Sequence, residues 1–405
     1  MRKKCLAVGI ILLFIGTVII PITAQVTERT FPISRENTLY VGGNGPENYT
    51  RIQDAINDSQ DGDTVFVYDD SSPYYENLVV NQSIAMIGEG RNSTVVDGGR
   101  EGNVALISAD NVHINGFTMQ HGGNWSGRCG VEVVASNGVT ITNNNIVDNP
   151  DGISLTNSNN STIAGNTFYQ NQAVAFKMYF SNNNIFSNNW ITQSGEASIL
   201  IVQSTDNNIS QNVIEYNENG ILIWFSNNTV IHNNTIRYNN VTGIELYGGE
   251  NNSILRNTIH SNDYFGMEIT EVARNTIILH NLIDGSDSGL ALGAVHSNSI
   301  SISLNTFTRN WHGIDVGDSS LVNISRNNFV QNEHNAYFRI KPSEKNFWSK
   351  NFWDDHLGRG PKVIRGKLLL FTIELGYYWY FELCIPWINF DWHPAQEPYD
   401  IEDNQ

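Results

Sequence analysis

An asparagine followed two residues later by Ile or Phe recurs along most of this chain, and this repeat restricts the possible folds more than any other feature. Ten occurrences form one regular series, in which the spacing stays between 22 and 24 residues after a first gap of 29 residues. A spacing this regular indicates a solenoid, in which each repeat forms one coil. The repeat asparagines are Asn115, Asn144, Asn166, Asn189, Asn212, Asn234, Asn257, Asn281, Asn305 and Asn327.

Each repeat contains three short apolar segments separated by polar bends. Around Asn257, for example, Ile254 and Ile259 stand three positions before and two positions after the Asn, and the run "GMEI" follows. The segments are rich in β-branched residues and lack helical spacing, and the Leu-dominated frame of a leucine-rich repeat is absent. Three strands in a coil of about 23 residues predict an all-β fold, a parallel β-helix of about 10–12 coils. Identical side chains then stack about 4.8 Å apart.

The repeat asparagines are interpreted as structural. Asn tolerates unusual φ values and hydrogen-bonds to local backbone, so it suits bends. Stacked amides can also donate and accept along a ladder. A second polar column, five residues after Asn144 and its successors, consists of Asn or Ser and fits the same interpretation.

The two ends of the chain depart from the repeat. Residues 1–24, with a basic start and a short apolar stretch, are typical of a signal peptide, so we expect export; if the segment stays uncleaved, it is the only expected membrane contact. Residues 25–48 are a lead-in, residues 49–345 the β-helix, and residues 346–405 the last coil with an aromatic cap. A loop at residues 121–130 accounts for the long first gap.

A short helix should plug the first coil. Thr50 and Gln53 have the spacing of a capping box, and Ile52, Ala55 and Ile56 form one apolar face. Such a plug would hide the edge of the first coil from solvent.

Charge and cysteine content restrict the partners. The chain has 23 basic and 41 acidic residues, a formal charge of −18, which argues against nucleic acid as a partner. A monomer is expected.

Cys129 and Cys384 could pair in an exported protein, although the repeat places them far apart.

The chain resembles the NosD-like family of right-handed parallel β-helix proteins. The resemblance covers about residues 38–360 and rests on "TRIQDAINDSQDGDTVFV", "YYENLVVNQSIAMIGEGRNSTVVDGG" and the Asn ladder; the ending "IPWINFDWHPAQEPYDI" is similar to the tails of secreted archaeal members. It implies a carbohydrate-binding or sugar-hydrolase type of β-helix. Related β-helices include pectate lyases and polygalacturonases, and founding members of the group assist copper-site maturation in nitrous oxide reductase.

Alternation along the third strand of each coil predicts which side chains point outward. Trp224, Tyr247, Glu245 and Glu268 should cluster on adjoining coils, with Lys177 and Tyr179 two coils away from Trp224. Aromatic rings beside carboxylates can stack on sugar rings and accept hydroxyl hydrogens, so polysaccharide or surface glycan is the expected ligand. The alternative is a solvated face with a purely structural role.

Catalytic and metal-binding roles stay open. Glu245 and Glu268 could have the spacing of a glycosidase pair, but the Asp pairs, G-H-G turn and R-I-K of polygalacturonases are missing, and the catalytic residues are unknown. No cofactor is required. Copper could bind the stacked pair His312 and His334, and Ca²⁺ could bind at the Asp pairs. These are Asp61/Asp63, Asp284/Asp287 and Asp354/Asp355.

Overall fold

A computed structural model describes residues 37–123, 127–293, 299–356, 358–374 and 380–401. The predicted signal peptide and the start of the lead-in lie outside these residues. Within them, three parallel sheets of 14, 13 and 14 strands, here called A, B and C, run the length of a parallel β-helix. It has about 13 coils, slightly more than expected from the repeat count. Among the described residues, no helix is long and apolar enough to cross a membrane.

Each coil supplies one strand to each sheet in turn. Sheet A consists of Thr38–Val41, Thr64–Val67, Ala85–Gly88, His113–Asn115, Thr140–Thr142, Thr162–Ala164, Ile185–Ser187, Asn208–Ser210, Val230–His232, Ser253–Leu255, Ile277–Leu279, Ile300–Ser303, Val322–Ser325 and Phe347–Ser349. Sheet B consists of Tyr74–Tyr75, Val95–Asp97, Thr118–Gln120, Asn145–Val147, Thr167–Tyr169, Trp190–Thr192, Val213–Glu215, Thr235–Arg237, Thr258–His260, Leu282–Asp284, Thr306–Thr308, Asn328–Val330 and Phe352–Trp353. Sheet C consists of Leu78–Val80, Ala105–Ile107, Cys129–Val134, Asp151–Thr156, Val174–Tyr179, Ala197–Val202, Ile221–Trp224, Thr242–Glu250, Phe265–Arg274, Ser288–Leu292, His312–Gly317, His334–Ile340, Lys362–Glu374 and Tyr380–Asp391.

The inward columns of Ile, Val and Phe form one continuous core. Ile231, Ile254 and Ile278 follow one another in register in sheet A, and all three are fully buried. Each buried aliphatic side chain of this size contributes about 1.5–3 kcal/mol relative to exposure. The repeated apolar positions of the sequence are therefore the positions whose side chains form the core.

The Asn ladder is present as predicted, with a precise bonding pattern. The side-chain oxygen of Asn257 accepts from the backbone N and the side-chain Nδ2 of Asn234, both at 3.0 Å. Its own Nδ2 donates to the carbonyl of Ile231 at 2.9 Å and to the side-chain oxygen of Asn281 at 3.0 Å. Because each amide satisfies buried polar groups of its own coil and of both neighbours, the ladder fixes the stacking of coils.

Two details of the ladder differ from the prediction. Ile146 pairs with Met119 and Ile141 with Ile114, so Asn115 lies outside the ladder, which begins at Asn144. The long first gap therefore combines a shifted first repeat with the loop before Cys129. The positive φ also belongs to the residue before each ladder Asn, whatever its type, as at Leu304 (54°) before Asn305 and Arg326 (59°) before Asn327.

Both ends of the core are closed. The helix α1, Ile52–Asp58, buries Ile52, Ala55 and Ile56 against the first coil, as predicted. The predicted capping box is wrong: the N-cap is Arg51 and makes no side-chain cap bond. Instead the buried carboxylate of Glu76 accepts from the backbone N of Ile52 (2.8 Å) and of Gln53 (3.0 Å). A carboxylate at this end also offsets the positive end of the helix.

The C-terminal segment closes the other end. Strands Lys362–Glu374 and Tyr380–Asp391 form an antiparallel hairpin that extends sheet C. Asp391 is fully buried and accepts from the Asn351 backbone N at 2.9 Å and from the Trp353 Nε1 at 3.2 Å. It thereby ends the Asn ladder.

Candidate functional site on the outer face of sheet C

Two columns of side chains point outward from sheet C, in the order expected from the sequence. The strand registers place Trp224 beside Tyr247 and Glu245 beside Glu268 on adjacent coils. The first column contains Glu132, Ser154, Lys177, Leu200, Leu222, Glu245, Glu268, Ala291, Asp315 and Tyr337. The second contains Val134, Thr156, Tyr179, Val202, Trp224, Tyr247 and Thr270. We call Trp224, Tyr247, Glu245 and Glu268 the platform.

Of the two platform rings, Trp224 is exposed and Tyr247 is half-buried, and both are held in place. The indole Nε1 of Trp224 donates to the Glu245 Oε1 at 3.0 Å, and the Tyr247 hydroxyl donates to the Glu271 Oε1 at 3.2 Å. The Trp224 and Tyr247 rings meet edge to face with centroids 6.5 Å apart, and Phe225 packs perpendicular to Tyr247 at 5.2 Å. Because their polar atoms are bonded, the rings present fixed apolar surface to solvent.

The acidic half of the platform is a like-charge pair. Burial raises the pKa of Glu268, and the neighbouring charge of Glu245 raises it further. Opposed like charges on adjacent strands are unfavourable, so the pair favours a bound proton, a cation or a hydrogen-bond donor between its members.

Lys177 and Tyr179 share this face but lie apart from the platform. The Lys177 ammonium forms an ion pair with the buried carboxylate of Asp151. Burial alone would lower the pKa of Lys177, but the hydrogen bond to Asp151 raises it above its usual range. Tyr179 packs against an apolar patch on the outside of the sheet, which separates both residues from Trp224. The patch consists of Val174, Ala197, Leu200 and Leu222.

His312 and His334 stack on adjacent coils, as predicted. Their rings lie 5.2 Å apart at an angle of 26°, and Trp311 packs edge-on against His334 at 5.6 Å. Burial lowers the pKa of His312, and the effect of the His334 charge has the same sign. The charges of Asp315 and Asp287 oppose this lowering without reversing it, so the neutral form of His312 is favoured.

Among the described residues, the side chains do not form a resident copper or calcium site. Across the described ranges, no group of three or more His, Cys, Asp or Glu side chains is placed to hold a metal ion. Several carboxylates of the predicted calcium pairs already bind protein donors: Asp63 accepts from backbone N atoms, Asp284 pairs with Arg309, and Asp355 pairs with Lys362.

Cys129 and Cys384 are both free thiols, so they form no disulfide.

A pocket beside the platform was missed from the sequence. It has a volume of about 400 Å³, its lining includes Ser288, Ala291, Trp311 and Asp315, and Ala291 is in register with Glu268 of the platform. We call it the Ala291 pocket. The sequence offered one sign of this pocket: Trp311, an exposed aromatic residue directly after Asn310 of the second polar column, where the chain turns into sheet C. Ser288 carries no signal in the sequence.

Comparisons with known proteins agree with this architecture. A family model described as periplasmic copper-binding protein (NosD) matches residues 56–265 and 193–358. No curated protein sequence matches the chain.

Several solved structures are similar to this chain. The A-module of the mannuronan C-5 epimerase AlgE6 of Azotobacter vinelandii is 16% identical, with a TM-score of 0.51 over 73% of this chain and 94% of that one. The periplasmic alginate epimerase AlgG is 14% identical, with a TM-score of 0.48 over 70% and 72% of the two chains. The GH136 lacto-N-biosidase from Eubacterium ramulus is 13% identical, with a TM-score of 0.49 over 78% and 67%.

At 16% identity, the likeness to the AlgE6 A-module shows the fold alone. The family match is broader, since its two ranges together span most of the described coils. The chain belongs to the NosD family of parallel β-helix proteins.

Proposed function

We propose that this is an exported protein that binds oligosaccharide on the outer face of sheet C, with the platform as the centre of the site. One observation carries the proposal: Trp224 is exposed, yet its indole N–H is bonded to Glu245 on the next coil, so the ring is held ready for stacking. Export is supported by the apolar N-terminal segment and by the periplasmic description of the family.

The chemistry of the face favours sugars. Rings such as Trp224 and Tyr247 stack on the C–H faces of pyranoses, and the carboxylates of Glu245 and Glu268 accept hydroxyl hydrogens. The surface acids make an anionic polyuronate an unfavourable ligand, because like charges repel. Neutral or amine-bearing glycans are therefore the proposed class.

The test is binding of a glycan array and of cellohexaose by the double variant Trp224→Ala/Tyr247→Ala. Loss of two stacking rings at roughly 1 kcal/mol each should weaken binding about 30-fold, while the fold persists because neither ring is in the core. Tyr216→Ala/Tyr238→Ala is the matched control, because these exposed rings stack at 5.1 Å outside sheet C. A folded platform variant that binds every ligand as the wild type does would overturn the proposal.

A glycoside hydrolase is the second candidate, favoured by Glu268 beside Glu245. The backbones of adjacent strands lie roughly 4.8 Å apart, a spacing that allows the two carboxyl groups the roughly 5 Å separation of a retaining pair. Glu268, whose pKa is raised by burial and by Glu245, would be the proton donor and Glu245 the nucleophile. A reducing-end assay on oligosaccharides that bind, with Glu268→Gln as the inactive variant, tests this role; binding without release of reducing ends by the wild type would exclude it for those sugars.

A further inference from the structure

The Ala291 pocket has the chemistry of an amine site. Two carboxylates, Asp287 and Asp315, are part of its lining, together with the rings of Tyr264, Trp311 and His312. The Tyr264 and Trp311 rings are more than half exposed, at 55% and 56%. Carboxylates and ring faces together attract organic cations.

A buried hydroxyl adds an independent observation. Ser288 is only 6% exposed, it belongs to the lining of the pocket, and its Oγ has no hydrogen-bond partner within the described part of the chain. A buried polar group without a partner costs about 1–3 kcal/mol. A ligand that donates a hydrogen bond to Ser288 would remove that cost.

The size of the pocket and its ligand set favour an ammonium group over a metal ion. The described residues do not provide the cluster of three or more His, Cys, Asp or Glu that a metal ion requires. A protonated amine needs only a few oxygen acceptors, and Asp315, Asp287 and Ser288 offer them beside aromatic rings. An anionic ligand would be repelled by both carboxylates, because like charges repel.

The position of the pocket relates it to the platform. Along one outward column, Glu245, Glu268, Ala291 and Asp315 occupy successive coils. The small side chain of Ala291 leaves a recess there, whereas Leu200 and Leu222 fill the same column elsewhere. An oligosaccharide lying along the stacking direction would therefore cross the platform and place its next sugar over the recess.

We propose that the Ala291 pocket is a subsite for the ammonium group of an amino sugar, so that the glycan bound on sheet C contains free glucosamine-type residues. Asp315 and Asp287 accept the ammonium hydrogens from two sides, Ser288 accepts from the floor, and Trp311 covers the sugar. This inference rests on the proposed function and specifies its ligand class.

The experiment compares two probes of equal length and linkage by isothermal titration calorimetry at low salt: the hexamer of β-1,4-linked glucosamine and cellohexaose, which lacks the amine. We expect the wild type to bind the glucosamine hexamer at least tenfold more tightly. Asp315→Asn should abolish that preference, and so should Ala291→Leu, which fills the recess with a side chain that the column already accommodates. Asp206→Asn, an exposed acid bonded to Asn228 on another face, should keep it.

The outcomes separate the two proposals. Equal wild-type affinities for both hexamers would overturn the amine subsite and leave the platform standing. Binding of neither hexamer would overturn the amine subsite, and the platform would then depend on the array. A preference that persists in both Asp315→Asn and Ala291→Leu, each folded by circular dichroism, would place amine recognition elsewhere and overturn the assignment to this pocket.

Discussion

Glu245 and Glu268 are paired in register on adjacent strands of sheet C, with their side chains on the same outer face. The Trp224 indole donates to Glu245, so that carboxylate is held beside its neighbour. Burial and the Glu245 charge together raise the pKa of Glu268. The fold therefore keeps an unfavourable charge pair at the site where we propose that a ligand binds.

Glu245→Gln should stabilise the protein near neutral pH, because it removes one charge of the pair and its amide oxygen can still accept from Trp224. The expected gain is roughly 0.2–1 kcal/mol in the free energy of unfolding, the range for opposed charges on adjacent strands. The folded-state pKa of Glu268 is raised, so the wild-type penalty grows as pH rises through that pKa and is absent below the ordinary Glu pKa. Urea unfolding between pH 4 and pH 8 measures the difference.

The matched control for this change is Glu250→Gln, in which an exposed acid loses an ion pair with Arg274. We expect no gain in stability there at any pH. A gain in Glu245→Gln that stays constant down to pH 4 would contradict the charge-pair explanation.

Asn257→Ala should destabilise the middle of the ladder. The change leaves the donors of Asn234 and the carbonyl of Ile231 without their buried partner. We expect about 1–3 kcal/mol of lost stability. Thermal or urea unfolding measures it, with Asn240→Ala as the control, since Asn240 is exposed. Equal stabilities of the two variants would mean that water replaces the amide and that the ladder does not hold the coils together.

What could be predicted from the sequence follows from what repeats. Ile254 and Asn257 recur at fixed spacing because every coil meets the same neighbours, so the core, the ladder and the outward position of Trp224 were all predictable. A contact that occurs in only one coil produces no repeating pattern in the sequence, so it cannot be predicted from periodicity. The Glu76 cap joins positions more than 20 residues apart, at a place where the coils are irregular, and the capping box was the wrong local alternative.

The same reason explains the limits at the site. Lys177 was correctly placed on the outer face, but its partner Asp151 stands in another column, so the ion pair could not be foreseen. The Ala291 pocket depends on a small residue in one coil and on Trp311 in the next turn. Such a recess depends on the sizes of neighbouring side chains from different coils, and the periodicity of the sequence does not reveal it.

Glu76→Ala should loosen the N-terminal cap. Without the carboxylate, two backbone N–H groups at the start of α1 lose their acceptor. We expect a loss of roughly 1–2 kcal/mol, typical of removing an N-cap acceptor. Hydrogen exchange in residues 52–58 should accelerate more than exchange in the middle coils. Glu47→Ala, at an exposed position, is the control; unchanged exchange in Glu76→Ala would mean that the packing of Ile52 and Ile56 alone holds the helix.

The two thiols should differ sharply in reactivity. Burial raises the pKa of the Cys129 thiol to about 12, and the nearby Asp151 and Glu132 act in the same direction. Cys384 is partly exposed on the C-terminal hairpin. Because the thiolate is the nucleophile, a native sample of residues 25–405, which leaves out Cys5, should react rapidly at neutral pH with one equivalent of a disulfide reagent, at Cys384, and with a second only after unfolding. Cys384→Ser should abolish the rapid phase. Rapid reaction of two equivalents would mean that Cys129 is accessible in the folded protein. If no thiol reacts before or after unfolding, and reductant restores the reaction, Cys129 and Cys384 were oxidised and are not free thiols.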